Sequence, residues 1–314
     1  MKYTIAIAAF LGLLVYGCIG RTDIREKQSA LHEAVTASMG KTLERTEKEV
    51  TRSTQAVVEE YVKANCPPPK PSKTSSVYLP KSVKTGKRLD CILNASHKLD
   101  ATWSRLNDAN DFYSWLYLYD SDSRALRIYP ATNPKSLFGE DLVFDQFFFF
   151  KGAVTSYPKG SWTRVRPDIN GTGKIIVYTQ AFKLPGSETY ATVSADLRSE
   201  ALLRHEQERL IEAARTGGME HLFVYGYQKD GDTRVVAHDF SSDPTKWRML
   251  KSFSGTTLHL NYAEAASLAE LEAQAEKKAG RAVRGNLSLD GVAHYCTIVW
   301  IENILLYSVM CSEN

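Results

Sequence analysis

A tight hairpin in the middle of the chain most constrains the fold. Residues 170–173 read Asn-Gly-Thr-Gly, and glycine adopts the positive-φ conformations of such a turn without a Cβ clash. Side chains from residue 175 to 180 point alternately to two faces, so we expect one face to pack on a core while Tyr178 points the other way. The pattern predicts paired strands, with Asp168 at a strand end before the turn.

A second carboxylate ends the next β-rich run, residues 189–196. Asp196 is followed by a helical pattern from residue 197 to 215, and aspartate is a favoured helix N-cap. Asp168 and Asp196 therefore have two interpretations. They are turn and cap residues, or they converge on a pocket from neighbouring strands.

The order of these elements resembles the Cache family of extracellular, PAS-like sensor domains. The family pattern is a tryptophan, Pro-Tyr-x-Asp, a Gly-x-Gly turn, an aliphatic strand and a strand ending in Asp before a helix. The matching residues here are Trp162, Arg166 in place of the tyrosine, Asp168, Gly171, Gly173 and Asp196. The resemblance covers residues 103–203, including an opening hairpin of strands 115–119 and 126–130. It implies an α+β fold with a long N-terminal helix and two PAS-like lobes with antiparallel sheets.

The resemblance also implies a ligand site in the first lobe. Amino-acid-binding members carry an arginine and a tryptophan in the segment that here reads Phe-Asp-Gln-Phe-Phe-Phe-Phe, residues 144–150, so that arginine is absent. Arg166 offers a guanidinium that could pair with a carboxylate or phosphate, or it forms a surface salt bridge. The phenylalanines form a pocket wall or simply core. The candidate ligand-binding residues are Trp162, Arg166, Asp168, Tyr178 and Asp196, with Phe149 and Phe150 as the wall.

The N-terminus predicts export. Lys2 precedes an apolar run at residues 5–15, which is short for a membrane span but suits a signal peptide. The run ends in Leu-Val-Tyr-Gly-Cys, which is typical of a bacterial lipoprotein cleavage site with Cys18 as the lipidated residue. The alternative is an uncleaved signal anchor at residues 4–20. Both interpretations place the remainder on the periplasmic or cell-surface side, attached to a membrane.

Four further cysteines agree with export, because disulfides persist in oxidising compartments. Cys66, Cys91, Cys296 and Cys311 permit three pairings. We expect Cys66 to pair with Cys91, closing a Pro- and Lys-rich loop, and Cys296 to pair with Cys311 across a terminal hairpin that turns near Asn303. The sequence contains no CxxC pair and no histidine at ligand spacing from a cysteine, so we predict no metal site.

Residues 22–64 carry the clearest helical pattern. Apolar residues recur at spacings of three, four and seven among charged ones. Such a helix would be about 60 Å long at 1.5 Å per residue, enough to run beside two lobes. The same apolar stripe could form the seam of a homodimeric coiled coil, and the two uses are not exclusive. The stripe consists of Ile24, Leu31, Val35, Met39, Leu43, Val50, Val57 and Tyr61.

The predicted domain order follows from these segments. A signal peptide occupies residues 1–18 and the long helix residues 22–64. The membrane-distal lobe is residues 65–203, with a disulfide-bracketed loop at 66–91, and a connecting helix spans 197–216. The smaller membrane-proximal lobe is residues 217–314. Its predicted elements are strands at 222–227 and 234–237, a helix at 263–278 and strands near 282–288, 292–301 and 304–311.

Composition and motifs favour a binding protein. The 314 residues are 43% hydrophobic, enough for two cores, and the net charge of +3 is too small to indicate nucleic-acid binding. The sequence has no nucleophile elbow, phosphate loop or zinc-binding helix motif, and no nucleophile accompanies Asp168 and Asp196 as an acid and base. We therefore predict that the protein is not an enzyme and requires no cofactor.

The predicted function is an exported sensor domain. It would bind a small molecule of carboxylate, amine or amino-acid-like character in the first lobe. It would then pass the signal to a separate membrane receptor, kinase or chemoreceptor, because ligand binding must change the affinity for that partner. The alternative is a non-sensing envelope lipoprotein that uses the same scaffold for protein contacts, with its pocket filled by the phenylalanines.

Overall fold

The protein divides into two compact units. The computed structural model describes residues 2–63, 66, 72–80, 86–132, 144–168, 173–216, 222–228, 262–289 and 292–313. One unit comprises Lys41–Leu202, and the other combines Met1–Gly40 with Leu203–Asn314. The predicted turn residues 170–172 and the predicted strand 234–237 lie outside the described residues.

The long N-terminal helix, α1, spans Lys2–Val62, whereas the sequence pattern predicted its start at residue 22. It therefore continues through the segment predicted as a signal peptide, and lipidation of Cys18 stays a prediction. The central part of the apolar stripe is buried within the chain, at Val35, Met39, Leu43, Val50 and Val57. These side chains are not available for a coiled-coil seam, so a dimer through α1 would have to use its other faces.

Within the part of the chain that the structure describes, no helix combines the length and the apolar character that a membrane span requires.

The unit Lys41–Leu202 is built on a seven-stranded antiparallel sheet in the order β1-β3-β2-β7-β6-β4, with β5 also paired to β6. The predicted opening hairpin is confirmed as β2 and β3. In chain order the elements after α1 are β1 (Ser76–Tyr78), α2 (Lys87–His97), α3 (Leu99–Ala109), β2 (Tyr113–Asp120), β3 (Ala125–Tyr129), α4 (Phe148–Ser156), β4 (Ser161–Trp162), β5 (Arg166–Pro167), β6 (Lys174–Phe182) and β7 (Ala191–Arg198).

Helices cover both faces of this sheet. On one face, the ring of Tyr129 packs 6.5 Å from that of Trp103 in α3. On the other face, Phe149 of α4 packs on Tyr117 of β2, with 5.9 Å between ring centroids. Both sets of alternate residues in β6 are therefore buried, and Tyr178 lies in a second packed layer rather than toward solvent.

Asp196 is a strand residue, and its predicted role as a helix cap is wrong. Strand β7 continues to Arg198, which pairs with Ile175 of β6. The next helix, α5, spans Ser199–Thr216. The hydroxyl of Ser199, its first residue, donates a hydrogen bond to the carbonyl of Lys174 at 3.0 Å. Sheet pairing thus extends two residues past Asp196 and leaves its carboxylate on a sheet face.

The face of the sheet toward α2 and α3 contains a buried arginine. Arg127 of β3 is 1% exposed and donates to Ser96 Oγ at 2.7 Å, Ser75 Oγ at 2.9 Å and the Leu93 carbonyl at 2.9 Å. Its guanidinium is also 3.7 Å from the carboxylate of Asp100, which is itself buried. One side chain thus joins the sheet to two helices and to the segment that leads into β1.

Replacing Arg127 by leucine should destabilise this unit by roughly 3–5 kcal/mol, because three buried acceptors would lose their donor and Asp100 would keep, of the described residues, only Ser72 and His97 as partners. The measurement is the free energy of unfolding in urea. Arg105→Leu, at an exposed position on α3, is the matched control and should change it by less than about 0.5 kcal/mol. A similar small effect of both variants would contradict the assignment.

The second unit contains a four-stranded antiparallel sheet in the order β8-β11-β10-β9. The hairpin between β10 and β11 turns through Glu302–Ile304 and Leu305, which adopts a left-handed φ of 53°. β11 therefore begins two residues later than predicted. The elements are β8 (Leu222–Gln228), α6 (Tyr262–Lys277), β9 (Val283–Leu289), β10 (Val292–Ile301) and β11 (Leu306–Glu313).

Both predicted disulfides are present. Cys66 bonds to Cys91, with the two Cα atoms 4.8 Å apart. Cys296 and Cys311 bond directly across β10 and β11, with a Cα separation of 4.1 Å. The second disulfide is fully buried in the core between the sheet and α6. It covalently fixes the register of the terminal hairpin.

The opposite face of the second sheet contacts the N-terminal part of α1. Gln28 donates to the carbonyl of Met310 at 3.0 Å. The two ring nitrogens of His32 lie 2.8 Å from Thr297 Oγ1 and 2.9 Å from Ser308 Oγ. Full burial lowers the pKa of His32 from 6.5 to about 3. His32 is therefore a neutral, hydrogen-bonded residue of the core.

The unfolding free energy should fall by about 2 kcal/mol between pH 7 and pH 5 through His32 alone. Its pKa is lower in the folded than in the unfolded state, so the unfolded chain takes up the proton first and stability is lost as the pH falls below 6.5. His32→Gln should flatten this dependence, measured by chemical unfolding at both pH values. His205→Gln, at an exposed histidine, should leave the slope unchanged. An identical slope in wild type and His32→Gln would disprove the assignment.

Candidate ligand-binding site

The register of β2, β7 and β6 brings polar side chains to one face of the first sheet. Trp115 lies opposite Asp196, and Asp196 lies opposite Val177. Directly opposed residues share a sheet face, and so do residues two apart along a strand. Tyr117 and Tyr119 therefore lie on the same face as Asp196. This is the face that α4 covers, and we call it the α4 face.

Asp168 comes to the α4 face from the end of β5. Arg166 pairs with Ile175, two residues before Val177 on β6, so Arg166 and Asp168 project toward the same side. The amide of Asp168 donates to the carbonyl of Gly173 at 2.8 Å. Gly173 has a φ of 118°, a conformation that residues with a Cβ rarely adopt. The hairpin thus holds Asp168 in place, and Asp168 is buried.

Asp168 and Asp196 form an acidic pair. Burial raises the pKa of Asp196 well above 3.8, a hydrogen bond from the Tyr117 hydroxyl opposes this change, and the negative charge of Asp168 adds to it. The same surroundings raise the pKa of Tyr117, first through burial and then through Asp196. Asp196 Oδ1 is buried and has no hydrogen-bond partner among the described residues. A buried carboxylate oxygen without a hydrogen bond lowers the free energy of unfolding of the protein.

Aromatic rings line the α4 face around the acidic pair. Phe149 packs edge-on against Tyr117, and Phe150 packs edge-on against Tyr119 with 5.8 Å between ring centroids. Both phenylalanines are buried in one apolar cluster with these tyrosines. The predicted wall residues therefore lie beside the acidic pair.

Arg166 lies at the exposed edge of the α4 face. Its guanidinium carbon is 4.1 Å from the centroid of the Phe148 ring, a cation–π contact at the start of α4. Both side chains are exposed. The contact places a positive charge two residues from Asp168, at the rim of the site.

Trp162 and Tyr178 lie on the other face of the sheet. They pair across β4 and β6, and their rings are 5.0 Å apart. The indole nitrogen of Trp162 donates to Glu47 of α1 at 2.6 Å. Because Tyr178 is adjacent to Val177, its side chain points away from Asp196. They therefore do not lie with Asp168 and Asp196, and the pair joins the sheet to α1. A ligand role for Trp162 and Tyr178 stays a prediction.

Tyr117 is the site residue that the sequence analysis missed. The strand 115–119 was predicted, but its partner strand and register were not, so nothing placed Tyr117 beside Asp196. Trp115, directly opposite Asp196, was missed for the same reason. Its indole nitrogen is buried and lacks a hydrogen-bond partner in the described part of the chain. A pairing of 115–119 with 189–196 would have indicated both residues.

Metal coordination has no support at this site or elsewhere in the described ranges, which contain no group of three His, Cys, Asp or Glu side chains arranged to hold an ion.

The chain matches no protein-family model and no curated protein. Among solved structures it is similar to the ligand-binding domain of Campylobacter jejuni chemoreceptor Tlp3 in complex with 4-methylisoleucine, with a TM-score of 0.52 and 11% identity over 93% of this chain and 91% of that one. It is similar to that of Pseudomonas fluorescens chemoreceptor CtaA in complex with L-isoleucine, with a TM-score of 0.51 and 14% identity over 94% of both chains. The ligand-binding domain of Pseudomonas aeruginosa PAO1 amino acid chemoreceptor PctC in complex with GABA gives a TM-score of 0.52 and 12% identity over 92% of this chain and 99% of that one.

The protein therefore has the α+β fold of chemoreceptor ligand-binding sensor domains of the double Cache type. This confirms, at the level of the fold, the family resemblance found in the sequence.

Asp196→Asn should stabilise the ligand-free protein by about 1–2 kcal/mol at pH 7. The fold raises the pKa of Asp196 above 3.8, so between pH 3.8 and the raised pKa the folded protein holds more protons than the unfolded chain. The free energy of unfolding of the wild-type protein therefore falls as the pH rises through this interval. The gain should vanish near pH 4, as measured by chemical unfolding. Asp108→Asn, at an exposed carboxylate, should show no such gain. Parallel curves for wild type and Asp196→Asn from pH 4 to 8 would exclude the raised pKa.

Proposed function

We propose that the unit Lys41–Leu202 binds a small molecule through an ammonium group, which the acidic pair Asp168 and Asp196 receives on the α4 face. The observation that carries the proposal is the buried Asp196 Oδ1 atom, which has no hydrogen-bond partner among the described residues. An ammonium group donates three hydrogen bonds and neutralises a carboxylate, so it would satisfy this oxygen and favour the ionised form of Asp196. Proteins commonly trade stability for such groups at functional sites.

Arg166 supports an amino-acid-like ligand with an anionic group near its amine. The guanidinium stands at the rim, on the same side of β5 as Asp168. It would receive a carboxylate while the acidic pair receives the amine, and a guanidinium binds a carboxylate in a two-point pair. The similar solved domains bind 4-methylisoleucine, L-isoleucine and GABA, all of which carry both groups.

The biological role that fits this site is an exported sensor. Residues 65–203 would form the membrane-distal, ligand-binding lobe, and residues 217–314 would form the membrane-proximal lobe. Cys18 would carry the lipid that attaches the protein to a membrane on the periplasmic or cell-surface side. Ligand binding would then change the affinity for a separate receptor, kinase or chemoreceptor, as differential binding requires.

A second candidate function is a scaffold for protein contacts in the cell envelope. The packing of Phe149 and Phe150 on Tyr117 and Tyr119 favours it, because aromatic rings fill much of the α4 face. The two functions differ in one respect: a sensor must open this face to a small molecule, whereas a scaffold need not.

Calorimetric titration with three matched compounds tests the proposal: L-isoleucine, its decarboxylated amine and its deaminated acid. The amino acid and the amine should bind to the purified protein, and the acid should not. Asp196→Asn should weaken amine binding roughly 10- to 100-fold, because a charge-assisted hydrogen bond is lost. Binding should also weaken as the pH falls, because ligand and proton compete for Asp196.

Two variants act as controls. Tyr178→Phe, on the other face of the sheet, should leave binding unchanged, whereas Tyr117→Phe should alter it. Arg166→Gln should weaken the binding of the amino acid and leave the binding of the amine unchanged. If folded protein binds no amine of any kind, the sensor proposal fails and the scaffold function is favoured.

A further inference from the structure

A second set of polar side chains lies farther along the α4 face. It consists of Tyr119, Asp145 and Thr192, and we call it the distal polar cluster. Tyr119 and Thr192 are directly opposed on β2 and β7, so they share the face of Asp196. Asp145 comes from the short turn Phe144–Gln146 that precedes α4, and its negative charge acts on the Tyr119 hydroxyl.

Two atoms of the distal polar cluster are buried without partners. Thr192 is fully buried, and its Oγ1 has no hydrogen-bond partner in the described part of the protein. Asp145 Oδ1 is also buried and has no hydrogen-bond partner among the described residues. Buried polar atoms in folded proteins are nearly always satisfied, so two orphaned acceptors on one face indicate that a ligand group completes them. A hydroxyl oxygen and a carboxylate oxygen both accept hydrogen bonds.

The charge of the distal polar cluster favours a cationic donor. Burial raises the pKa of Tyr119, and the negative charge of Asp145 raises it further, while Arg124 acts in the opposite direction. Asp145 thus has the strongest charge effect on Tyr119. Arg124, in the exposed turn between β2 and β3, offsets part of that charge.

The two sites are separated by a distance that a short alkyl chain spans. Asp196 and Thr192 are four residues apart on β7, about 13 Å at 3.3 Å per residue. Tyr117 and Tyr119, whose hydroxyls reach the two sites, are two residues apart, about 7 Å. On the sheet side, the buried hydroxyls of Ser194 and Thr179 lie between the sites and are bonded to each other at 3.0 Å. On the α4 side, the rings of Phe149 and Phe150 pack against Tyr117 and Tyr119 and provide an apolar surface. An aliphatic chain with an ammonium group at each end would lie along these rings.

We infer that the distal polar cluster binds a second ammonium group, so that the ligand carries two amines joined by an aliphatic chain. This inference rests on the proposed function of the acidic pair. Two classes of ligand carry two amines on an aliphatic chain, namely linear diamines and basic amino acids. Only the basic amino acid also has a carboxylate that Arg166 can bind.

The test measures affinities by calorimetry for diamines from 1,4-diaminobutane to 1,8-diaminooctane and for monoamines of equal length. At the best length the diamine should bind at least about tenfold more tightly than the monoamine. Thr192→Val should remove this advantage and leave monoamine affinity unchanged. Thr192→Val replaces an unpartnered hydroxyl by a methyl group, so the fold should tolerate it. Thr54→Val, at a buried threonine of α1, is the matched control and should retain the diamine preference.

The affinities for L-lysine and L-norleucine distinguish a basic amino acid from a diamine as the ligand. L-Lysine binding more tightly than any diamine, with the advantage lost in Arg166→Gln, would identify a basic amino acid, and the reverse order would identify a diamine. Equal affinities for diamines and monoamines, with monoamine binding still lost in Asp196→Asn, would overturn the distal subsite and leave the proposed function intact. Absence of binding by every amine would overturn both.

Discussion

The register of three neighbouring strands, β2, β7 and β6, is the constraint on which the first unit depends. Because side chains alternate between faces, a slip of one residue would move Asp196 to the face that contacts α1 and bring Ala195 to the α4 face. The same register places Tyr117 beside the carboxylate. Buried Arg127 fixes the neighbouring strand β3 to α2 through two hydrogen bonds, to Ser96 and to the Leu93 carbonyl, and a third hydrogen bond goes to Ser75 before β1. The site is thus a consequence of pairing in the sheet rather than of any single loop.

Much of this arrangement could be predicted from the sequence. Turn glycines and strand patterns indicated the hairpin that leads from β5 to β6, and cysteine spacing indicated both disulfides. Asp168 and Asp196 were found because a pattern of local elements carries them. The orientation of Trp162 and Tyr178 could not be predicted, because a strand with two buried faces has no polar side to identify solvent. Tyr117 was missed because strand pairing between distant segments leaves no local signal.

The two sheets use their faces differently. Each has one face against α1, where polar residues such as Glu47 and His32 make specific hydrogen bonds. The remaining face of the second sheet is closed by apolar side chains of α6 and by the disulfide between Cys296 and Cys311. The corresponding face of the first sheet carries carboxylates and hydroxyls under an aromatic helix. An apolar interior gives stability, whereas unsatisfied polar atoms lower stability and create a capacity to bind.

The first unit is formed by one continuous segment of the chain, whereas the second combines two segments that are far apart in the sequence. Residues 41–202 follow one another, so the first unit can begin to fold as soon as they leave the ribosome. The second unit requires contacts such as that of Gln28 with Met310, which are 282 residues apart. His32 must therefore wait for Thr297 and Ser308, which are synthesised 265 and 276 residues later. During that interval the first part of α1 has an exposed apolar stripe, and a chaperone that protects it would be most needed before β11 is made.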